Sequence, residues 1–235
     1  MTEDNIIVLH KFPYRNGFIV EVFSEEHGKI SFVLKSRKSK KNPIGNFHTL
    51  SLLSCQYLWK ESSDLQNITS SNPISLDHHF EVDPEKMFIQ FFFADFLRQI
   101  LLKKVPSKRL FIFAQHIITF INETNYNELK DLPCYILYKS ANILGINIIC
   151  DSNKYLDLTS GYQSINQTSG SFTLFPKHSE YLNNIEGMVF ADKKTYISDY
   201  KTRSETFELL YRYFRYHLNH FETLKSYTVL KQIML

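Results

Sequence analysis

The stretch FIVEVFSEEHGKISFVLK, residues 18–35, decides the fold of the first third of the chain. FIVEVF and ISFVLK are rich in β-branched and aromatic residues, which suit a pleated, half-buried surface. In the first run Ile19, Glu21 and Phe23 alternate with Phe18, Val20 and Val22. The polar EEHGK between the runs supplies a turn, with Gly28 free to take a positive φ. The reading is a β-hairpin.

Strands continue on both sides of it. NIIVLH (5–10) is a short apolar strand before the hairpin. After it comes KSRKSKKN, residues 35–42, with Lys35, Arg37, Lys38, Lys40 and Lys41 and no carboxylate. NPIGN follows, and Pro43 and Gly45 make this a long connection. TLSLLSCQYLW (49–59) reads as a fourth strand and LQNIT (65–69) as a fifth. Five short strands with a long loop after the third suit a small closed barrel.

From residue 81 the period changes to that of a helix. Asp83 suits an N-cap and Pro84 the first helical position. Phe88, Phe91, Phe92, Phe96 and Ile100 then recur at helical spacing, predicting a buried helix. SKRLFIFAQHIITFINET (107–124) and LPCYILYKSANILG (132–145) continue the pattern, the second ending at Gly145. Residues 150–175 lose it and read as a small irregular or hairpin insert. Helix returns near 176–190, after Thr202, and over 224–233. Thr202 and Glu205 fit a capping box, and Glu208 can pair with Arg212 at i,i+4. Phe207, Leu210, Tyr211, Phe214, Leu218 and Phe221 form one stripe. The fold class is α+β: a barrel domain over 1–80, then a helical domain over 81–235.

Composition supports a packed protein. Of 235 residues, 43 % are hydrophobic and 22 % charged, which excludes a disordered chain. Twenty Phe and 14 Tyr against 7 Gly and 7 Pro predict a large aromatic core. The net charge of +3 is unevenly placed: residues 1–60 carry nine Lys/Arg against five Asp/Glu, and the remainder is slightly acidic. An acidic partner therefore meets the N-terminal quarter. Three scattered cysteines form no disulfide framework and read as buried free thiols in a reducing cytoplasm. MTEDN is no secretory signal, and MFIQFFFADFLRQILL is broken by Gln90, Asp95 and Arg98, so no membrane span is expected.

Bond-making chemistry finds little support. The chain has no GxSxG, no phosphate-cradling Gly-rich loop and no HExxH. DHHFEVD gathers Asp77, His78, His79, Glu81 and Asp83, but adjacent histidines on a strand face opposite ways. A polar linker is the expectation, with no metal and no cofactor; a metal-dependent nuclease on Asp77, His78 and Glu81 is the enzymatic rival.

The basic run reads as a nucleic-acid patch. Loops of small barrels hold oligonucleotides. Lys11 and Arg15 extend the patch to Lys35, Arg37, Lys38, Lys40 and Lys41, neutralising phosphates without regard to sequence. Phe12, Tyr14, Phe47 or Tyr57 are candidates to stack on bases, or else core. Lys103, Lys104, Lys108 and Arg109 form a second basic group around Pro106, between the first two helices, with an ordinary exposed corner as its plain reading.

IIVLHKFPYRNGFIVEVFSEEHGKISFVLKSRKSK resembles the opening of the RecO recombination-mediator family of DNA repair proteins. The matching residues are Leu9-His10, Tyr14, Phe23-Ser24-Glu25-Glu26, Gly28-Lys29, Lys35 and Arg37. HTLSLLSCQY resembles the next strand. LLYRYFRYHLNHFETLKSYTVLKQIM resembles the closing helices, with Leu224-Lys225-Ser226 as the family's Leu-Lys-Ser. The resemblance implies an OB-fold, a helical C-terminal domain and a non-enzymatic cytoplasmic, nucleoid-associated mediator. It implies binding of single- and double-stranded DNA, strand annealing and loading of the RecA recombinase. It also implies RecR and the acidic C-terminal tail of single-stranded DNA-binding protein as partners. The rival within binding proteins is a general single-stranded DNA or RNA binder with no repair role.

The chain departs from the family pattern in three places. Ser36 stands where a Gly is usual. The insert has only Cys150 where some members carry four zinc-binding cysteines. Pro133-Cys134-Tyr135 stand where arginines precede the Leu-Gly turn. Lys103, Lys104, Lys108, Arg109, Lys139 and Arg203 are the cations left to reach an acidic tail, with Lys104, Lys108, Arg109 and Lys139 as the candidates to hold it, predicting weak, salt-sensitive docking.

Overall fold

The computed structural model describes residues 1–35, 44–74, 84–166, 172–188 and 199–233. The fold is α+β: among the described residues, a five-stranded barrel is followed by six α-helices and a small sheet. Compactness divides the chain into residues 1–123 and 124–235. The change from strand to helix near residue 80 thus falls inside the first unit.

That unit contains β1 (Thr2–Tyr14), β2 (Gly17–Ser24), β3 (Gly28–Lys35), β4 (Leu52–Leu58) and β5 (Leu65–Pro73). They close in the order β1-β2-β3-β5-β4, with only β3 and β5 parallel. This is the OB-fold arrangement. β1 is longer than its apolar run because it serves two neighbours: Thr2–Ile7 pair with β4, and Ile6–Tyr14 with β2. A register shift between Val8 and His10 bends it from one partner to the other.

Side-chain alternation fills the barrel with Val20 and Val22 of β2, Phe32 and Leu34 of β3, and Leu53 of β4, all almost wholly buried. The opposite faces of β1 and β2 are buried too, through Ile7, Leu9, Ile19 and Phe23. Phe23 meets Phe111 edge to face at 5.2 Å. Strands covered on both sides read as continuous apolar runs, which explains IIVL and FIV.

Helix α1 (Pro84–Ile100) begins at the expected proline. Phe92, Phe93, Phe96 and Leu97 are buried, but Phe91, assigned to the stripe from its spacing, is 44 % exposed. The buried arc centres on 92/93/96/97 and turns Phe91 to its edge. Helix α2 (Lys108–Glu123) follows. Residues 101–107 between them run beside the hairpin turn: Lys103 bridges Lys29, and the Lys104 amide donates to the Lys29 carbonyl at 3.2 Å. Gly28 is required here. Its φ is +69°, and a Cβ would sit 2.2 Å from the Val105 carbonyl oxygen.

The second unit holds α3 (Leu132–Ile143), α4 (Pro176–Met188), α5 (Tyr200–His217) and α6 (Lys225–Ile233). The insert is a sheet of β6 (Tyr155–Asp157), β7 (Gln163–Ser164) and β8 (Thr173–Leu174), ordered β7-β6-β8. Helix α5 starts earlier than the capping box predicts. Asp199 is its N-cap, accepting from the Thr202 amide at 2.9 Å, because an Asp three residues upstream satisfies that donor. Glu205 instead meets Lys177 at 2.5 Å and the ring of His178 at 3.2 Å. Glu208 meets the Tyr227 hydroxyl and Lys231, and Arg212, whose charge also favours the Glu208 carboxylate, lies over the Phe172 ring. No helix among the described residues is long and apolar enough to cross a membrane.

Candidate nucleic-acid interface

The expected patch lies where the β1–β2 turn meets the end of β3. Tyr14 pairs with Gly17, and Gly17 with Lys35, so three neighbouring strands contribute one row. Residues opposite one another in antiparallel strands project to the same face. Tyr14 and Lys35 therefore stand on one face with a glycine between them. No other residue fits that position: a Cβ on Gly17 would lie 2.0 Å from the Leu34 carbonyl oxygen. The gap is a cleft of about 580 Å³ lined by Tyr14, Arg15, Asn16, Val33, Leu34 and Lys35.

Three of the expected phosphate-binding cations are described; Arg15 and Lys35 are on this end of the barrel, and Lys11 stands opposite Val20, three residues back along β1. Arg15 is exposed, with its guanidinium 5.2 Å from the Tyr14 ring centre. Lys11 lies 5.7 Å from the Phe18 ring centre. Lys35 is exposed at the strand end. None of the three forms an ion pair with a described carboxylate. Arg15 also holds φ at +47°, a left-handed value that costs a residue with a Cβ roughly 1–2 kcal/mol. Arg37, Lys38, Lys40 and Lys41 lie outside the described residues, as do Asp77, His78, His79, Glu81 and Asp83.

The four aromatic candidates separate cleanly. Phe47 and Tyr57 are fully buried and belong to the barrel core. Phe12 and Tyr14 are half-exposed, and Phe12 stacks on His10 at 5.9 Å between ring centres. The sequence offered all four because an aromatic in a strand gives no sign of which face it takes until the register is known.

The opposite end of the β2–β3 hairpin is closed by polar contacts. Asp4 is buried and accepts from the Ser24 and Tyr57 hydroxyls at 2.5 Å each. Burial, and after it the Asp4 carboxylate, hold the Tyr57 hydroxyl well above the ordinary tyrosine range. Burial, and again Asp4, push the Cys55 thiol up to about 12. Lys29 donates to the Arg98 carbonyl at 2.7 Å, and its pKa is lowered chiefly by burial. Arg98 meets Glu21 at 2.7 Å.

Of the cations assigned to an acidic tail, three lie in the first unit and one in the second. Lys104 donates to the Glu61 carbonyl at 2.6 Å and lies 3.5 Å from Asp64. Lys108 and Arg109 are exposed on the first turn of α2. Lys139, in the second unit, is held by Glu186 at 2.6 Å. That unit has a cleft of about 630 Å³ beside α5, but its lysines are spent: Lys177 on Glu205 and Lys231 on Glu208. His178 there accepts from the Phe175 amide through Nδ1, so Nε2 carries the proton facing Glu205. Burial lowers the His178 pKa.

Comparison with known proteins points one way. Residues 1–76 match the family described as Recombination protein O N terminal. The chain is 24 % identical over 234 residues to the DNA repair protein RecO of Phocaeicola vulgatus, covering 97 % of this chain and 96 % of that one. It is 25 % identical over 234 residues to the RecO protein of Bacteroides fragilis, with the same coverage. The corresponding protein of Porphyromonas gingivalis is 25 % identical over 240 residues, again with 97 % and 96 % covered.

Proposed function

We propose, starting from a chain that resembles the RecO DNA repair proteins along nearly its whole length, that this protein is a non-enzymatic recombination mediator. It binds single-stranded DNA, anneals complementary strands and helps load the RecA recombinase. The observation that carries this reading is the end-to-end similarity to DNA repair proteins, joined to a barrel that sets Arg15 and Lys35 at one end without an ion pair to a described carboxylate.

Mediation of this kind asks for surfaces and no bond-making groups. Arg15, Lys11 and Lys35 neutralise phosphates, and the basic run that Lys35 opens in the sequence adds Arg37, Lys38, Lys40 and Lys41. Counterion release drives the binding, so it tolerates any sequence and weakens with salt. Annealing follows when two coated strands, each partly neutralised, meet without phosphate repulsion. RecR and single-stranded DNA-binding protein are the protein partners, and the bacterial cytoplasm is the compartment. The acidic tail of the latter binds weakly, through Lys108 and Arg109 with support from Lys104.

A dye-pair annealing assay tests the reading. Purified protein should speed the pairing of complementary oligonucleotides, including strands already coated by single-stranded DNA-binding protein. Binding without any acceleration would leave a general single-strand binder, and no binding at all would remove the nucleic-acid reading.

A further inference from the structure

We propose that the cleft above Gly17 is a pocket for one nucleotide of a single strand, its base on Tyr14 and its phosphate between Arg15 and Lys35. The proposal rests on the DNA-binding reading and adds a preference for single strands over duplex.

The width of the cleft comes from register. Tyr14, Gly17 and Lys35 stand side by side on three strands, and neighbouring strands lie about 4.8 Å apart, so roughly 10 Å separates the outer two backbones. The middle position carries no side chain and tolerates none. A planar base fits into that space, with half-exposed Val33 as an apolar wall. Base–aromatic stacking is indifferent to sequence because every base has a π face.

The charges fall where the phosphate of the same nucleotide would lie. Arg15 and Lys35 flank the cleft, and neither forms an ion pair with a described carboxylate. Arg15 occupies a left-handed position that Gly or Asn would hold at lower cost. Strain kept at a surface turn, on a residue that makes no ion pair to a described carboxylate, points to selection for what the side chain binds. In a duplex the bases are paired and stacked, so only phosphates reach this end of the barrel.

The test is fluorescence anisotropy of the full-length protein with a labelled oligothymidylate and with a mixed-sequence duplex of equal length. Tyr14→Ala should lower single-strand affinity roughly tenfold, in line with the removal of one stacking ring, and leave duplex affinity unchanged. Tyr14→Phe should restore single-strand binding. Arg15→Gly should weaken both substrates while keeping or raising the melting temperature, which a structural role for Arg15 would not allow. Equal losses on both substrates with Tyr14→Ala, or no loss on either, would overturn the pocket while leaving DNA binding intact. A wild-type protein that binds neither substrate would overturn the underlying reading as well.

Discussion

The two ends of the β2–β3 hairpin use the same parts differently. Each has a glycine in contact with a foreign carbonyl, Gly17 with Leu34 and Gly28 with Val105. Each carries charge. At the Gly28 end, Asp4, Lys29, Arg98 and Glu21 are all joined to protein groups. At the Gly17 end, Arg15 and Lys35 meet an aromatic ring or solvent, with no ion pair to a described carboxylate. Charges that the fold uses are satisfied inside it, and charges left over are available to a partner. Substitutions of the charged residues at the first end should therefore change stability, and those of the cations at the second should change binding alone.

The largest effect is expected from Gly28→Ala. It adds left-handed strain to a clash with backbone that cannot move aside, so the loss should exceed about 3 kcal/mol in urea denaturation. A loss below about 1 kcal/mol would show that residues 101–107 yield easily, and would weaken the contrast.

Asp4→Ala comes next. It removes the buried acceptor shared by the Ser24 and Tyr57 hydroxyls, which should cost about 2–3 kcal/mol. The same network predicts an alkaline limb. Tyr57 and Cys55 stay neutral in the fold, while the unfolded chain ionises its thiol near 9.0 and its phenol near 10.0. The unfolded state loses protons first, so stability should fall as pH rises above about 9. Tyr57→Phe should flatten that fall in thermal melts across the alkaline range.

Lys104→Ala should cost less than about 1 kcal/mol, since its partner Asp64 is exposed. Smallest of all in stability is the pair Arg15→Glu and Lys35→Glu, within about 0.5 kcal/mol of wild type. Yet this pair should weaken DNA binding on every sequence. The slope of log affinity against log salt should flatten by roughly 0.7–0.9 for each phosphate that is no longer neutralised. A melting temperature that drops with the affinity would erase the distinction between the two ends.

The barrel is legible in the sequence because its signals are local. Gly28 announces a turn, and FIVEVF and ISFVLK announce the strands beside it. Pro84 marks the start of α1 for the same reason. What the sequence hides depends on partners distant in the chain. The inward placement of Tyr57 follows from Asp4 and Ser24, and the exposure of Phe91 from which arc of α1 is covered. Asp199 is easily overlooked because Thr202 and Glu205 make a good capping pattern, and only the bond from the Thr202 amide decides between them. Within the candidate site, Tyr14, Arg15 and Lys35 can be named from sequence, but the Gly17 gap between them emerges only once three strands are in register.

The contact between Gly28 and Val105 sets the size of the smallest portable module. A barrel cut away after its last strand would lose the carbonyl that seats against Gly28, the cap on the Lys29 amine and the ring that meets Phe23. Its outer surface would then present Phe23 to water, and apolar surface so uncovered invites aggregation. Anyone grafting this barrel onto another protein should carry α1 and α2 with it, as far as residue 123.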